Sequence, residues 1–257
     1  MNQDQPVQPA NIVNIVAINQ GKKPLTMDAP HAPLLTPTEV LNLIQNKRII
    51  IDTRSEAAFG SGYIPQAYNI QLSSSEFEQR VGWVTPLDAP LILVLQNDAD
   101  LSQALHSLAF VGLDHRVTGY LGGGMANWIN SGLTTRTIPQ ISVQQLQALQ
   151  STKQMHVIDV RETSEWDAGH IDGAHYMNYK FMGDRLEQLA LSPNENIAVM
   201  CAAGMRASTA CSMLMNGYTH INNVTGGMTA WAAAGTPMVD NAGEPASTSN
   251  VSHSEKF

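Results

Sequence analysis

The second half of the chain contains the sequence IAVMCAAGMR at residues 197–206. Its first four residues form a continuous apolar run, which is typical of a strand covered on both faces of a parallel sheet. A tight loop of small residues follows, and the sequence from Ala207 to Asn216 predicts a helix that Gly217 ends. A buried strand, a loop and a helix in this order indicate an α/β fold, which places its ligands at the loops after the strands.

The surroundings of this stretch occur twice, with a period of about 106 residues. Thr36–Glu39 and Ser142–Gln145 each have a hydroxyl residue followed three positions later by Glu or Gln, which predicts the start of a helix. Each of these helices leads into an apolar run rich in β-branched residues, at residues 49–54 and 157–161. Both runs predict buried strands.

Both copies also end in the same way. The motif GGM, with a tryptophan three positions later, occurs at residues 123–125 and again at 226–228. The sequence therefore predicts two copies of one α/β domain, each with a mostly parallel central sheet flanked by helices on both faces. Composition and repeat together predict an N-terminal arm or linker at 1–33, a first domain at 34–134, a second at 135–240 and a flexible tail at 241–257.

The two copies differ in one loop. In the second copy it is the loop between the apolar run at 197–200 and the predicted helix that starts at Ala207. Residues 95–101 of the first copy read LQNDADL, whereas the second copy has Cys201, Gly204 and Arg206 in this region. A cysteine at the carboxyl end of a parallel strand meets backbone N–H groups and the positive end of the following helix, and both favour the thiolate. We therefore predict that Cys201 is a catalytic nucleophile and that the first copy is silent.

The rest of the loop is expected to hold an anion. Arg206 is predicted to be catalytic as well, because it supplies a permanent positive charge beside the backbone N–H groups. Asp159 and Arg161 end the neighbouring strand and are expected to brace the loop. Because the first copy keeps this pair as Asp52 and Arg54, we interpret it as supporting scaffold. The predicted substrate-binding residues of the loop are Ala202, Ala203, Gly204 and Met205.

Both cysteines have a structural alternative, because a free cysteine is often a small buried hydrophobic residue. For Cys201, the glycine, the arginine and the strand-loop-helix context favour catalysis. Cys211 lies in the middle of the predicted helix among apolar residues. We interpret it as a packing residue, with a resolving role in thiol chemistry as the alternative.

The composition narrows the classes of function. Fourteen basic and 22 acidic residues give a net charge of −8, with no basic run, so nucleic acids and membranes are not expected as partners. The two cysteines cannot form a disulfide framework for the whole chain, which favours reduced, intracellular thiols. The N-terminus lacks the basic segment of a signal peptide, and residues 12–18 are too short to span a membrane, so a cytoplasmic protein is expected. The eight histidines are scattered, and no metal or other cofactor is predicted.

With these residues in view, both copies resemble rhodanese (sulfurtransferase) domains. The resemblance rests on DVR at 159–161, EWDAGHIDGA at 165–174, the loop at 201–206 and the GGM motif with its tryptophan. It covers the chain from residue 34 to about residue 239. The first copy is similar to the catalytically silent copy of tandem rhodaneses.

A closer resemblance is to the rhodanese portion of bacterial fusions in which a metallo-β-lactamase-fold persulfide dioxygenase precedes the sulfurtransferase domains. GWVTP at 82–86 and the arm at 9–21 carry this similarity. The chain contains no His-x-His-x-Asp-His motif, so the dioxygenase module is absent from it. The resemblance implies a persulfide dioxygenase or another protein of sulfur metabolism as a partner.

The family resemblance also implies a two-step reaction. Cys201 takes the outer sulfur of thiosulfate or of a persulfide such as glutathione persulfide. A thiophilic acceptor, such as cyanide, sulfite, glutathione or another thiol, then takes it from the Cys201 persulfide. The family loop often carries arginine directly after the cysteine, where this chain has Ala202. The pocket is therefore expected to be less cationic, which makes a persulfide at least as attractive a donor as thiosulfate.

Two other functions stay open. Cysteine phosphatases and arsenate reductases share a loop with a thiolate and an arginine, but they have five residues between the two, whereas four separate Cys201 and Arg206. A non-enzymatic persulfide carrier or docking module is the second alternative. The arm and the acidic pair Asp98 and Asp100 of the silent loop are consistent with such an interaction role.

Overall fold

The structure is a computed structural model that describes residues 11–23, 31–152 and 154–247. The described chain divides into two compact units. The first unit runs to Arg54 and continues as Ile70–Leu133, and the second consists of Ser55–Asn69 and the chain from Thr134 onward. The second unit therefore includes a segment from inside the first copy of the repeat, whereas the repeat alone places a single boundary at residue 134.

Both copies contain the alternating helices and strands that the sequence predicted. The N-terminal helix and the elements of the first copy are α1 (Ile12–Asn19), β1 (Leu34–Leu35), α2 (Pro37–Gln45), β2 (Ile49–Asp52), α3 (Glu56–Ser61), β3 (Tyr68–Asn69), α4 (Phe77–Val84), β4 (Leu91–Val94), α5 (Leu101–Phe110), β5 (Val117–Leu121) and α6 (Gly124–Asn130). Those of the second copy are β6 (Gln140–Ile141), α7 (Val143–Ser151), β7 (His156–Asp159), α8 (Thr163–Ala168), β8 (His175–Tyr176), α9 (Met182–Arg185), β9 (Asn196–Met200), α10 (Met205–Leu214), β10 (His220–Val224) and α11 (Gly227–Ala233).

Each copy builds a five-stranded sheet with the same strand order. The order is β1-β5-β4-β2-β3 in the first sheet and β6-β10-β9-β7-β8 in the second. The paired strands run parallel, since helices connect successive strands and return the chain to the same edge. The predicted α/β class, with a parallel sheet flanked by helices in each copy, is confirmed.

The strand register shows which residues of the two copies are equivalent. Asp52 lies opposite Val94 in the first sheet, and Asp159 lies opposite Met200 in the second. The next residue of each central strand therefore occupies the same place in the fold. Leu95 is the structural counterpart of Cys201.

The predicted helix starts are confirmed at both capping boxes. The Thr36 hydroxyl accepts a hydrogen bond from the Glu39 N–H at 3.3 Å, and the Ser142 hydroxyl accepts one from the Gln145 N–H at 3.2 Å. The helix after the Cys201 loop covers 205–214 instead of the predicted 207–216. It starts earlier because the loop turns within three residues after Cys201.

Both ends of the chain contain more structure than their composition predicted. Part of the expected arm forms α1, and the Asn11 side chain donates a hydrogen bond to the Val111 carbonyl at 2.9 Å. Residues 241–247 of the expected tail are mostly exposed, but the Ala246 N–H donates to the Met238 carbonyl at 2.9 Å. The remaining residues of the arm and the tail lie outside the described residues, apart from 20–23 and 31–33.

Membrane-spanning helices and clusters of metal ligands were sought among the described residues. No described helix combines the length and the apolar character that crossing a bilayer requires. In the same part of the chain, no three His, Cys, Asp or Glu side chains are grouped so that they could hold a metal ion.

Candidate active site

Cys201 directly follows β9, at the carboxyl end of a central strand of the second sheet. It is fully buried, and its Sγ accepts a hydrogen bond from the Gly204 N–H at 3.0 Å. A hydrogen bond donated to sulfur stabilises its negatively charged form. The ten-residue helix α10 begins at Met205, so the positive end of its dipole lies at the same loop.

Gly204 determines the shape of this loop. Its φ angle is +123°, a conformation that residues with a side chain rarely adopt. Its carbonyl accepts the Ser208 N–H at 2.9 Å, which ties the loop to the first turn of α10. The short connection between Cys201 and the helix therefore depends on a glycine at this position.

Gly227, the first residue of α11, supports the loop from a second side. A Cβ atom added there would lie 2.6 Å from the Ala202 carbonyl oxygen and closer still to that of Cys201. This close approach lets the Met228 N–H donate to the Cys201 carbonyl at 2.8 Å and the Thr229 N–H donate to the Ala202 carbonyl at 3.0 Å. In the sequence, this contact is marked only by the repeated GGM motif. Nothing in the motif itself indicates that it lies against the Cys201 loop.

Arg206 lies at the start of α10 and pairs with Glu165 of α8. Its Nη1 and Nη2 donate to the two carboxylate oxygens of Glu165 at 2.6 and 2.9 Å, and both side chains are less than one-tenth exposed. The sequence predicts that Arg206 supplies a permanent positive charge to a bound anion. The bidentate pair largely compensates that charge and fastens α8 to the end of the loop.

Glu165 is the site residue that the sequence reasoning missed. The first copy has Ala58 at the equivalent place, and it also lacks the arginine. The signal for this pair in the sequence is that the second copy has both the glutamate and the arginine, whereas the first copy has neither. The two residues lie 41 positions apart in the sequence.

Asp159 and Arg161 form a buried ion pair at the end of β7, the neighbouring strand. The shortest distance between the guanidinium and the carboxylate is 2.7 Å, and Arg161 also donates to the Gly169 carbonyl at 2.8 Å. The first copy repeats the ion pair between Arg54 and Asp52 at 2.6 Å. The pair thus belongs to the fold in both copies, with and without the cysteine.

The remaining loop residues differ in exposure. Ala202 is buried, Met205 is half-buried and Ala203 is exposed. The loop therefore meets solvent at Ala203, two residues after the buried sulfur. A backbone cradle with one sulfur and one exposed edge is suited to binding a small anionic or sulfur-containing group.

Cys211 lies six residues further along α10 than Met205 and is fully buried. Burial raises the pKa of its thiol well above the usual range, and the nearby charge of Cys201 raises that pKa further. Its Sγ lies 3.8 Å from the Asn222 carbonyl oxygen. A thiol that stays protonated is a poor nucleophile, which fits the interpretation of Cys211 as a packing residue.

Comparison with known proteins gives the same family for both copies. The model of the rhodanese-like domain matches residues 36–131 and 142–234. The thiosulfate sulfurtransferase GlpE of Vibrio cholerae is 29% identical over 99 residues, which cover 38% of this chain and 92% of that protein. The mitochondrial protein HIGH ARSENIC CONTENT 1 of Arabidopsis thaliana is 37% identical over 89 residues, which cover 30% of this chain and 53% of that protein.

Among solved structures, the thiosulfate sulfurtransferase of Pseudomonas aeruginosa aligns with a TM-score of 0.36 at 20% identity. The alignment covers 84% of this chain and 44% of that protein. The family match itself spans most of the chain, once in each copy. The chain therefore belongs to the rhodanese-like sulfurtransferase family and carries two rhodanese-like domains in tandem.

Proposed function

We propose that the second copy transfers sulfane sulfur through a persulfide on Cys201. The thiolate attacks the outer sulfur of the donor, a bond forms between Sγ and that sulfur, and the donor's S–S bond breaks. Its electron pair leaves on sulfite or on a thiolate. A thiophilic acceptor, such as cyanide, sulfite or a thiol, then attacks the outer sulfur of the persulfide, and the electron pair of the breaking bond restores the Cys201 thiolate.

The observation that carries this proposal is the hydrogen bond of 3.0 Å from the Gly204 N–H to Sγ. The same sulfur is an anion before attack and again after the second transfer, so a fixed donor lowers the energy of both states. α10 adds the positive end of its dipole at the same place. The first copy has a leucine at the equivalent position and no sulfur to activate.

The charges around the loop favour a persulfide over thiosulfate as donor. Ala202 stands where the family loop often carries arginine, and Glu165 compensates the charge of Arg206. Thiosulfate carries two negative charges, and a site with little net positive charge binds such a dianion weakly. A thiol persulfide such as glutathione persulfide presents a sulfane sulfur with less negative charge.

The test compares the two donors on one preparation. We expect kcat/KM with glutathione persulfide to exceed that with thiosulfate, and initial rates to follow ping-pong kinetics. Treatment with either donor should add about 32 Da, the mass of one sulfur atom, to the peptide that contains Cys201. The adduct should be lost in Cys201→Ser and kept in Cys211→Ser. An adduct that depends on Cys211 would contradict the assignment of the nucleophile.

Chemistry on an arsenic oxyanion is the second candidate, because the name of the Arabidopsis relative connects a similar domain with arsenic. Four residues separate Cys201 and Arg206, one fewer than in the loops of cysteine phosphatases and arsenate reductases. We therefore expect negligible turnover of arsenate and of an aryl phosphate beside clear sulfur transfer. If arsenate were turned over as fast as sulfur is transferred, sulfur transfer would no longer be the preferred function.

A persulfide carrier without turnover of its own is distinguished by the acceptor step. An enzyme releases many equivalents of sulfur to free cyanide or glutathione for each Cys201. A carrier stops after one equivalent until a partner, such as a persulfide dioxygenase, is added. Counting the product per cysteine with the purified chain alone separates the two.

A further inference from the structure

α10 carries three hydroxyl groups in a place where hydroxyls are costly. Every residue from Arg206 to Leu214 is buried, and Ser208, Thr209 and Ser212 are at most 2% exposed. A buried hydroxyl without a hydrogen-bond partner destabilises the folded chain, because it gives up its hydrogen bonds to water. The Ser212 hydroxyl donates to the Thr209 carbonyl of the same helix at 2.6 Å, and a residue outside α10 supplies the other close partners of these hydroxyls.

The equivalent helix of the first copy, α5, has no such requirement. Four of its apolar residues are buried, whereas Ser102, Gln103 and His106 are exposed to water; the buried residues are Ala104, Leu105, Leu108 and Ala109. α5 thus has the ordinary two-sided pattern of a surface helix. The buried hydroxyls are a feature of the copy that contains Cys201.

One residue, Asn69, contacts all three hydroxyls of α10. The Ser208 hydroxyl donates to the Asn69 Oδ1 at 2.6 Å, and the Thr209 hydroxyl donates to the Asn69 carbonyl at 2.7 Å. The Asn69 N–H in turn donates to the Ser212 Oγ at 3.1 Å. Asn69 is itself fully buried. It belongs to the segment Ser55–Asn69, which comes from inside the first copy of the repeat but is part of the second compact unit.

A short series of hydrogen bonds connects these contacts with the sulfur. The Ser208 N–H donates to the Gly204 carbonyl at 2.9 Å, and the Gly204 N–H donates to the Cys201 Sγ at 3.0 Å. The Thr209 hydroxyl lies 3.5 Å from the carbonyl of Met205, the first residue of α10. A shift of the first turn of α10 would therefore move the Gly204 N–H away from the sulfur.

We propose that Asn69 is a positioning residue for Cys201. It holds the first turns of α10 through Ser208 and Thr209, and α10 holds the Gly204 N–H on the sulfur. The proposal rests on the proposed function for the reaction that is positioned. It also assigns a role to the silent copy, whose segment Ser55–Asn69 completes the unit that contains the nucleophile.

The test removes one hydroxyl of α10 and keeps the shape of the side chain. Thr209→Val deletes the donor to Asn69, and Thr209→Ser keeps it. Thr118→Val is the matched control, because the Thr118 hydroxyl also donates to a backbone carbonyl, that of Leu91, at 3.0 Å, but lies in the first unit. Each variant is made in the full chain. Measurements are kcat and KM for sulfur transfer and the pH profile of alkylation of Cys201 by iodoacetamide, followed by the mass of its peptide.

We expect Thr209→Val to lower kcat by about fivefold or more and to change KM by less than about twofold. The donor still binds, but the Gly204 N–H is no longer held on the Cys201 sulfur. The midpoint of its alkylation profile should rise by about half a pH unit or more, since the thiolate loses hydrogen bonding. Thr209→Ser should restore both values, and Thr118→Val should leave both unchanged. If Thr209→Val does not fold, Ser208→Ala is judged by the same criteria.

Two results would overturn the proposal. One is an alkylation profile that does not move in Thr209→Val. The other is an equal loss of kcat in Thr209→Val and Thr118→Val, which would indicate general destabilisation. Alkylation needs no sulfur donor, so a shifted profile in a protein that fails to transfer sulfur would support the positioning role and refute the proposed function.

Discussion

The loops that follow β4 and β9 occupy the same place in two copies of one fold, yet they use their hydrogen-bond donors differently. In the first copy, the Asp98 carboxylate accepts the Gly123 N–H at 3.1 Å, and the Asp100 carboxylate accepts the Asn97 N–H at 3.1 Å. In the second copy, the Gly204 N–H is directed to the Cys201 sulfur. The Asp100 carboxylate thus takes a backbone donor of the first loop, whereas the second loop directs its donor to the sulfur. We predict that the first copy is silent for this reason as well as for its missing cysteine.

Exchanging the equivalent residues of the two loops should have the largest effect. Cys201→Leu copies Leu95 and should lower kcat/KM for sulfur transfer by about a thousandfold or more, because the nucleophile is lost. Adding Leu95→Cys to this variant should not restore activity, since the Asp100 carboxylate takes the Asn97 N–H of that loop and the loop contains neither the glycine nor the arginine of the second copy. Recovery of more than about one-tenth of the rate would show that the cysteine alone separates the two copies.

Glu165→Ala copies Ala58 of the first copy and leaves the buried Arg206 guanidinium without its carboxylate. Breaking a buried ion pair in this way costs about 3–5 kcal/mol, so we expect a loss of that size in the free energy of unfolding measured with urea. The exposed residue Glu187 gives the control, because Glu187→Ala should change stability by less than about 0.5 kcal/mol. Equal effects of the two variants would mean that the ion pair does not stabilise the loop.

The glycines at the start of α6 and α11 test how the loops are supported. Gly124 and Gly227 have φ angles of +56° and +51°, so alanine at either position should cost about 1–2 kcal/mol from the backbone alone. Only Gly227→Ala should also lower kcat/KM, because its Cβ meets the carbonyls of the Cys201 loop. Thermal unfolding and sulfur-transfer rates of both variants provide the comparison. An equal loss of activity in Gly124→Ala would contradict it.

The smallest expected effect concerns pH. His175 in β8 has Tyr68 as its counterpart in β3, and burial, followed by the nearby His156, lowers the pKa of His175. The unfolded chain therefore binds this proton more tightly, and stability should be lost as the pH falls below about 6.5. His175→Tyr should weaken the fall in Tm between pH 7 and pH 5 by a few degrees at most. If Tm falls equally or more steeply in the variant, His175 is not the cause of the pH dependence.

Much of the fold and one part of the site could be predicted from the sequence. The capping boxes at Thr36 and Ser142 start helices where expected, and the apolar runs form the central strands. Cys201 lies on the predicted strand-to-helix loop. Each of these patterns lies within a few neighbouring residues, so backbone periodicity and capping are sufficient to produce it.

The partners of the loop could not be predicted in the same way. Glu165 lies 41 positions from Arg206, and Asn69 lies 139 positions from Ser208. No local pattern links residues so far apart, and the repeat even assigned Asn69 to the other copy. Their roles follow from which buried polar groups meet in the folded chain.

The sequence by itself therefore determined the α/β class, the duplication and the copy that contains Cys201, because hydrophobic periodicity and a missing cysteine are local properties of the chain. Only the tertiary structure decided that Glu165 compensates the charge of Arg206 and that Asn69 holds α10. The physical reason is that a buried charge or hydroxyl must find a partner, and packing decides which distant residue supplies it.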